Sequence, residues 1–282
     1  DHLGHYGGDI ARLERTFAEF LRQLPFYGRA VLCIDDPRVR ALLPAVHRPV
    51  LTYGTAEDAA FRAVDLRVEQ GTYTFTVLRP DGPALAVRLG IPGRHNVLNA
   101  LAAIAVAQDE GVADEAVEGA LADFTGVGRR FERSDRRTVD GRRFELVDDY
   151  GHHPTEVDRV IDTARELWPE RRLVMVYQPH RYTRTRDLYD DFVRVLPRVD
   201  LLLLLPVYPA GEAVIAGADS RSLARGMRQL GAADPVLLED RQQVVAAVLR
   251  LLEEGDVLLT QGAGDVGRIA ARLAEETEPC AD

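Results

Sequence analysis

Between Val147 and Glu156 the sequence reads VDDYGHHPTE. Two carboxylates, a tyrosine and two histidines crowd ahead of Pro154, a residue suited to begin a helix. Imidazoles exchange protons near neutral pH and also ligate metals. No third ligand stands close to this pair in the sequence, so a zinc site is not implied. A second polar segment, QPHRYTRTRD (178–187), brings His180, Arg181, Arg184 and Arg186 together. Arginines three residues apart near a helix start can clamp a carboxylate. In RHNVLNA (94–100), Asn96 and Asn99 share one helix face. Each amide offers a donor and an acceptor, as the edge of an adenine requires. The plainer reading is helix capping by Asn96 with a surface Asn99. In GVGRRFE (126–132), Arg129 and Arg130 follow a glycine hinge and could reach a phosphate. A solvated basic turn is the alternative. Gly262-Ala-Gly264-Asp-Val-Gly267 has the spacing of a dinucleotide-binding turn. That fingerprint needs an acidic residue about 20 positions on, whereas 282 − 267 = 15 residues follow. A glycine-rich turn between a strand and a helix is the simpler reading. DHLGHYGGD (1–9) holds His2 and His5, which as a bare signal read as a solvated terminus.

These residues sit in two differently patterned halves, assigned as domains 1–125 and 126–282. Apolar residues at helical spacing predict a helix over 9–24. AVLCID (30–35) reads as a strand, Pro37 as a helix start, and 63–79 as a hairpin about Gln70-Gly71. NVLNALAAIAVAQDEG (96–111) reads as a buried helix, with another at about 114–123. From Phe144 onward, strands and helices alternate. FELVDDY, RLVMVYQ, LLLLLPV, PVLLE and DVLLTQ are continuous apolar strands, and RDLYDDFVRVL between two of them reads as one helix. Such alternation predicts an α/β fold with a mostly parallel sheet covered on both faces. In such a sheet, ligands bind at the carboxyl ends of the strands. The two histidine-bearing segments each follow a strand. The acidic 275–282 tail is expected to fray.

Composition narrows the function. The 282 residues carry 35 basic and 45 acidic side chains, a net charge of −10. That balance argues against nucleic acid and anionic membrane surfaces as partners. The longest apolar run, 201–207, is far short of the roughly 20 residues of a membrane span. Two cysteines, Cys33 and Cys280, are no disulfide framework, and a reducing cytoplasm is the expected location. Every basic residue is arginine. A G-x-x-x-x-G-K-[ST] phosphate loop and a Schiff-base lysine are therefore both excluded from these residues.

Taken together, DHLGHYGGD, LPFYGRAVLCIDD, PGRHNVLNALAA, GVGRRFE, LVDDYGHHPTEVD, QPHRYTRTRDLYDDF, VYPAGEAVIAGADSRSL and TQGAGDVGRIA resemble the Mur ligases, in the family's order. The DDYGHHPTE and QPHRYTRT blocks resemble its alanine-adding branch more than the branch that recycles murein tripeptide. The resemblance implies the end of a P-loop-type central ATPase domain followed by a Rossmann-like C-terminal domain that brings the amino acid. It implies a cytoplasmic, ATP- and Mg²⁺-dependent ligase of peptidoglycan precursor synthesis, with UDP-N-acetylmuramate, L-alanine and ATP as partners. The γ-phosphate would activate the muramate carboxylate as an acyl phosphate, which the amine of alanine attacks. By resemblance, His2 would ligate Mg²⁺; His95, Asn96 and Asn99 would meet adenine, and Asp149 the ribose. Arg130, His152 and His180 would be catalytic. Tyr150, Arg181 and Arg184 would hold the amino acid. The family's lysine-bearing phosphate loop and UDP-binding domain have no counterpart in these residues. A longer protein is expected to begin before Asp1, and this chain alone is expected to be inactive. Two other readings are a nucleotide-binding oxidoreductase built on Gly262–Gly267 and a non-catalytic nucleotide-binding remnant.

Overall fold

The computed structural model of the chain describes residues 3–69, 71–240 and 242–280. His2 lies outside the described residues, so its assignment as a metal ligand has no structural counterpart here. The chain divides after Thr125 into two compact units.

The first unit begins with α1 (Ile10–Arg22), started by the Asp9 carboxylate, which accepts the Ala11 N–H at 2.8 Å. Strand β1 (Ala30–Cys33) leads to α2 (Pro37–Leu42), capped by Asp36 and opened by proline. Then come β2 (Val50–Gly54), β3 (Phe61–Glu69), β4 (Thr72–Leu78), β5 (Leu85–Leu89), α3 (Arg94–Asp109) and α4 (Asp114–Asp123). Among the described residues one sheet forms in the order β1-β2-β3-β4-β5, parallel as far as β3 and antiparallel beyond. The β3–β4 hairpin is the one expected at Gln70-Gly71, whereas β2 and β5 lie outside the elements expected from the sequence. Alternation explains the core: Tyr73, Phe75, Val77, Leu85, Val87 and Leu89 point inward. Leu101, Ile104 and the small Ala100 and Ala105 let α3 lie close against them. By contrast, Phe17 and Phe20 of α1 and the following Phe26 and Tyr27 are exposed.

The second unit holds β6 (Glu132–Arg137), β7 (Arg143–Asp149), α5 (Pro154–Leu167), β8 (Leu173–Tyr177), α6 (Tyr182–Asp187), α7 (Tyr189–Val195) and β9 (Leu201–Leu204). It continues with α8 (Ser220–Gln229), β10 (Val236–Leu237), α9 (Val244–Leu251), β11 (Val257–Gln261), α10 (Val266–Glu275) and β12 (Glu278–Pro279). The sheet order is β10-β9-β8-β11-β7-β6-β12. The strands from β10 to β7 are parallel, and β6 and β12 add antiparallel. This is the expected α/β fold with a mostly parallel sheet.

The order explains the two covered faces. From β7 to β10 the chain steps in one direction, apart from the gap later filled by β11. Right-handed crossovers put α5, α7 and α8 on one face. Val157, Ile161, Phe192, Leu223 and Met227 there pack on Val147, Met175, Tyr177 and Leu259. The return to β11 reverses direction. Helices α9 and α10 therefore cover the other face through Val244, Val248, Val266, Ile269 and Leu273, against Phe144, Leu146, Val174, Val176 and Leu258.

Two expectations are corrected. The single helix over RDLYDDFVRVL breaks at Leu188 (φ −113°), giving α6 and α7. The tail does not simply fray: β12 pairs with β6, Thr277 is buried, and the Arg136 guanidinium holds the Ala274 and Thr277 carbonyls. Leu259, buried in the central strand, should cost about 2–5 kcal/mol on truncation to alanine. Val139, 95% exposed, should cost within about 0.5 kcal/mol. Urea unfolding of both variants checks the contrast.

Candidate active site

Register aligns the carboxyl ends of three neighbouring strands, with Gln261 opposite both Asp149 and Tyr177. The loops after β7 and β8 turn to one face and the loop after β11 to the other, which opens a crevice at the strand ends. VDDYGHHP, QPHRYTRT and GAGDVG are those three loops.

Carboxylates shape the first loop. Asp148 accepts from Arg129 Nε at 2.8 Å and Thr260 Oγ1 at 2.9 Å. Asp149, assigned by resemblance to a ribose, is buried, and the chain itself uses both of its oxygens. Oδ1 accepts from Gly151 N (2.7 Å) and Gln261 Nε2 (3.1 Å), and Oδ2 from Phe131 N (2.9 Å). Burial pushes the Asp149 carboxyl up, opposed by those N–H donors and the nearby Arg130 charge. Arg129 and Phe131 both take left-handed backbone (φ 58° and 54°), an arrangement that costs energy outside glycine. It sends the Arg129 guanidinium inward to Asp148 and the Gly262 carbonyl (2.8 Å). Arg130 stays largely exposed. Both guanidinium carbons lie 5.3 Å from the centroid of the Tyr150 ring.

Glu156 builds the next turn. Its Oε2 accepts from His152 N (2.8 Å), His153 N (3.0 Å) and His153 Nδ1 (3.1 Å), which starts α5. Burial alone would raise its carboxyl, but these donors hold it well below the usual range. His152, His153 and Glu156 also have ligand atoms close enough for a metal ion. The three N–H groups already on one oxygen make this a helix cap rather than an open coordination site.

The imidazoles of His152 and His180 meet with ring centroids 5.3 Å apart. Burial lowers the His152 pKa, and the carbonyl of Tyr150, 3.2 Å from Nδ1, opposes the shift. His180 is lowered to about 4 by burial and by the neighbouring His152, Arg184 and Arg181. Its ring stacks on Tyr208 at 5.5 Å and 9°. Arg184 Nη1 donates to the His180 carbonyl (2.9 Å) and lies 3.1 Å from Nδ1. Arg184 is partly buried, and burial lowers its pKa. Among the described residues no carboxylate lies within ion-pair distance of it. Arg181, expected beside it, is exposed in a left-handed conformation (φ 73°) and faces Glu212 Oε1 at 3.5 Å. Glu212 also accepts from Thr183 N (3.0 Å), which holds the start of α6.

The glycine-rich turn is explained by packing. A methyl group on Gly264 would run into Gln178 Oε1 and come within 2.8 Å of Tyr208 Cβ. One on Gly267 would lie 2.6 Å from the Arg129 guanidinium carbon. Gln178 cannot yield, because it is buried and bonded to Val266 N (3.0 Å) and Asp265. The glycines let three loops approach, so packing alone accounts for their spacing.

In the first unit, Gly93 precedes α3, so Asn96 is a third-position residue rather than its cap. Asn96 Nδ2 donates to the Pro92 carbonyl (2.6 Å), and Asn99 Nδ2 donates to Asn96 Oδ1 (3.1 Å). The relay orients both amides and leaves the exposed Asn99 an oxygen and one N–H for a ligand edge. His95, beside them on the first turn, is half-buried.

Residues 1–107 match the Mur ligase middle domain, and residues 129–264 match the Mur ligase glutamate ligase domain. The chain belongs to the Mur ligase family. Among solved structures, it is similar to UDP-N-acetylmuramate-alanine ligase MurC from Thermotoga maritima. That match has 25% identity and a TM-score of 0.71 over 98% of this chain and 56% of the other. MurF from Acinetobacter baumannii matches with 18% identity and a TM-score of 0.71 over 97% and 57%. MurF from Thermotoga maritima, solved in complex with ADP, gives 19%, 0.67, 95% and 57%. The chain thus spans little more than half the length of these structures.

In this Mur ligase, the structure draws Tyr150, His152, His180 and Arg184 together and leaves Arg130 at their edge. Asn96 and Asn99 form a separate pair in the first unit. Sequence reasoning passed over Asp148, Glu156, Gln178, Tyr208 and Glu212. Glu156 had a signal, since an acid three residues after the residue before a helix-starting proline is the capping-box spacing. The others gave none, because their partners lie 19 to 112 residues away.

Because Glu156 titrates lower in the folded chain than in the unfolded one, its cap is fully stabilising above about pH 4.5 and is lost as the pH falls below that. Glu156→Gln should therefore lower the urea midpoint at pH 7, with a deficit that begins to narrow below about pH 4.5 and keeps narrowing as the pH falls further. Midpoints separated equally at every pH would refute the cap.

Proposed function

We propose that this chain is the adenine- and amino-acid-handling part of an ATP-dependent ligase that joins L-alanine to UDP-N-acetylmuramate in cytoplasmic peptidoglycan precursor synthesis. The observation that carries the reading is a partly buried guanidinium, Arg184, with no carboxylate partner among the described residues, set beside two low-pKa imidazoles at the strand-end crevice. An incoming amino acid supplies the missing carboxylate. With Nη1 on His180, Arg184 keeps three N–H donors for it. Tyr150 would wall the same pocket, and Arg181 would add charge at its rim. Arg130, exposed and faced among the described residues by Tyr150 and a Glu156 oxygen at 3.9 Å, is placed to meet a transferring phosphoryl group.

Catalysis in this reading is positioning and charge stabilisation. The carboxylate of the muramate sugar takes the γ-phosphoryl of ATP, and the acyl phosphate loses phosphate to the amine of alanine. The Asn96–Asn99 relay fits an adenine edge. The chain offers no lysine for the β- and γ-phosphates, and His2 would help to hold Mg²⁺. Alanine is favoured over longer amino donors by the 25% identity to the alanine-adding enzyme over nearly all of this chain.

Phosphate release from ATP and Mg²⁺, with UDP-N-acetylmuramate and L-alanine, tests the proposal. The purified chain alone should be silent. Joined to a phosphate-loop half, in trans or as one polypeptide, it should release phosphate only with alanine. Turnover that prefers D-alanyl-D-alanine would overturn the choice of amino acid, and turnover by the chain alone would overturn the need for a lysine-bearing loop.

A further inference from the structure

The two imidazoles at the crevice have opposite partners at Nδ1. His152 Nδ1 lies 3.2 Å from the Tyr150 carbonyl oxygen, an atom that can only accept. Glu156 Oε2, 3.6 Å from the same nitrogen, is a carboxylate oxygen and also only accepts. Neutral His152 must therefore carry its proton on Nδ1 and present Nε2 as a bare lone pair. His180 Nδ1 lies 3.1 Å from Arg184 Nη1, a group that can only donate. Neutral His180 must therefore keep Nδ1 bare and carry its proton on Nε2. Both rings are held neutral at pH 7, by burial and by the cations about them. Stacking on Tyr208 and the second Arg184 bond, to the His180 carbonyl, keep that ring in place. The Tyr177 hydroxyl does the same for the His152 backbone at 3.2 Å.

We infer that the pair is split by tautomer into one base and one donor: His152 Nε2 takes a proton from the α-ammonium of the amino acid, while His180 Nε2–H donates to the oxygen that gains charge as the amine adds. The roles rest on the ligase reading, whereas the tautomers rest on the geometry alone. The proton count closes. The ammonium gives one proton to His152, and its freed lone pair forms the C–N bond as the carbonyl π pair moves to oxygen. That pair returns as the C–O bond to phosphate breaks. The second nitrogen proton leaves with phosphate as HPO₄²⁻, and His152 passes its proton to water. Arg184 acts on His180 as a positioning residue in addition to meeting the carboxylate.

Long-range ¹H–¹⁵N spectra of the imidazoles read tautomers directly in this chain, with His152→Gln and His180→Gln assigning the signals. The expected result is His152 protonated at Nδ1 and His180 at Nε2. Arg184→Met should release His180 toward a tautomer mixture and leave His152 unchanged. Either ring in the opposite tautomer, or His180 indifferent to Arg184→Met, would overturn the split. In the complete ligase, His152→Gln should lower kcat by about 100-fold or more at pH 7. The loss should shrink as rising pH deprotonates the amine without help. His180→Gln, which keeps an N–H donor, should lose less than His180→Ala and show no such pH rescue. Equal losses and equal pH profiles for His152→Gln and His180→Gln would overturn the roles. Absence of alanine-dependent turnover with the tautomers as assigned would instead overturn the ligase reading.

Discussion

The second unit depends on one topological constraint, the entry of β11 between β7 and β8. A right-handed return from the far edge of the sheet forces α9 and α10 onto the face opposite α5, α7 and α8. The loop after β11 must therefore part from the loops on either side of it. That parting creates the crevice and brings Gly262–Gly267 against Gln178, Tyr208 and Arg129. A side chain on Gly264 or Gly267 would hold the loops apart and widen the space the histidines share. The same turn that reads as a nucleotide fingerprint in the sequence serves here as a joint between three loops.

Around that crevice, the acidic groups bind the chain to itself and the basic and imidazole groups are left for chemistry. Asp148, Asp149, Glu156 and Glu212 together accept from backbone and side-chain donors of three separate loops. Each is an internal strut, and for the buried Asp148 and Asp149 burial is tolerable only because their lone pairs are filled. What remains unfilled is cationic or neutral: Arg130, Arg184 and two imidazoles that burial keeps uncharged. A site of that character attracts carboxylate and phosphate groups and can take a proton without having to expel one first.

Local pattern accounts for much of this architecture. The strands of the parallel sheet are continuous apolar runs, and Asp36 with Pro37, the β3–β4 hairpin and the helix at 114–123 all lie where cap, turn and periodicity signals put them. Where local pattern failed, a long-range contact had taken over. The tail after residue 275 docks because Arg136, some 140 residues earlier, reaches its carbonyls. Short strands such as β2 and β6 gave little pattern because their pairing partners, rather than their own residues, make them strands.

The sequence by itself determined which residues could act: the paired histidines, the spaced arginines, the amide pair, and the lack of any lysine to cradle phosphates. These follow from residue type and short spacing, which no fold can alter. Only the tertiary structure decided what each one does. It consumed Asp149 and Glu156 in internal bonds, turned Arg129 inward, and left Arg184 with no carboxylate at ion-pair distance among the described residues. It also set Tyr150 O against one imidazole and Arg184 against the other. The physical reason is that a hydrogen bond's direction depends on what stands opposite, and for this site what stands opposite comes from a different strand end or from the far side of a tight turn.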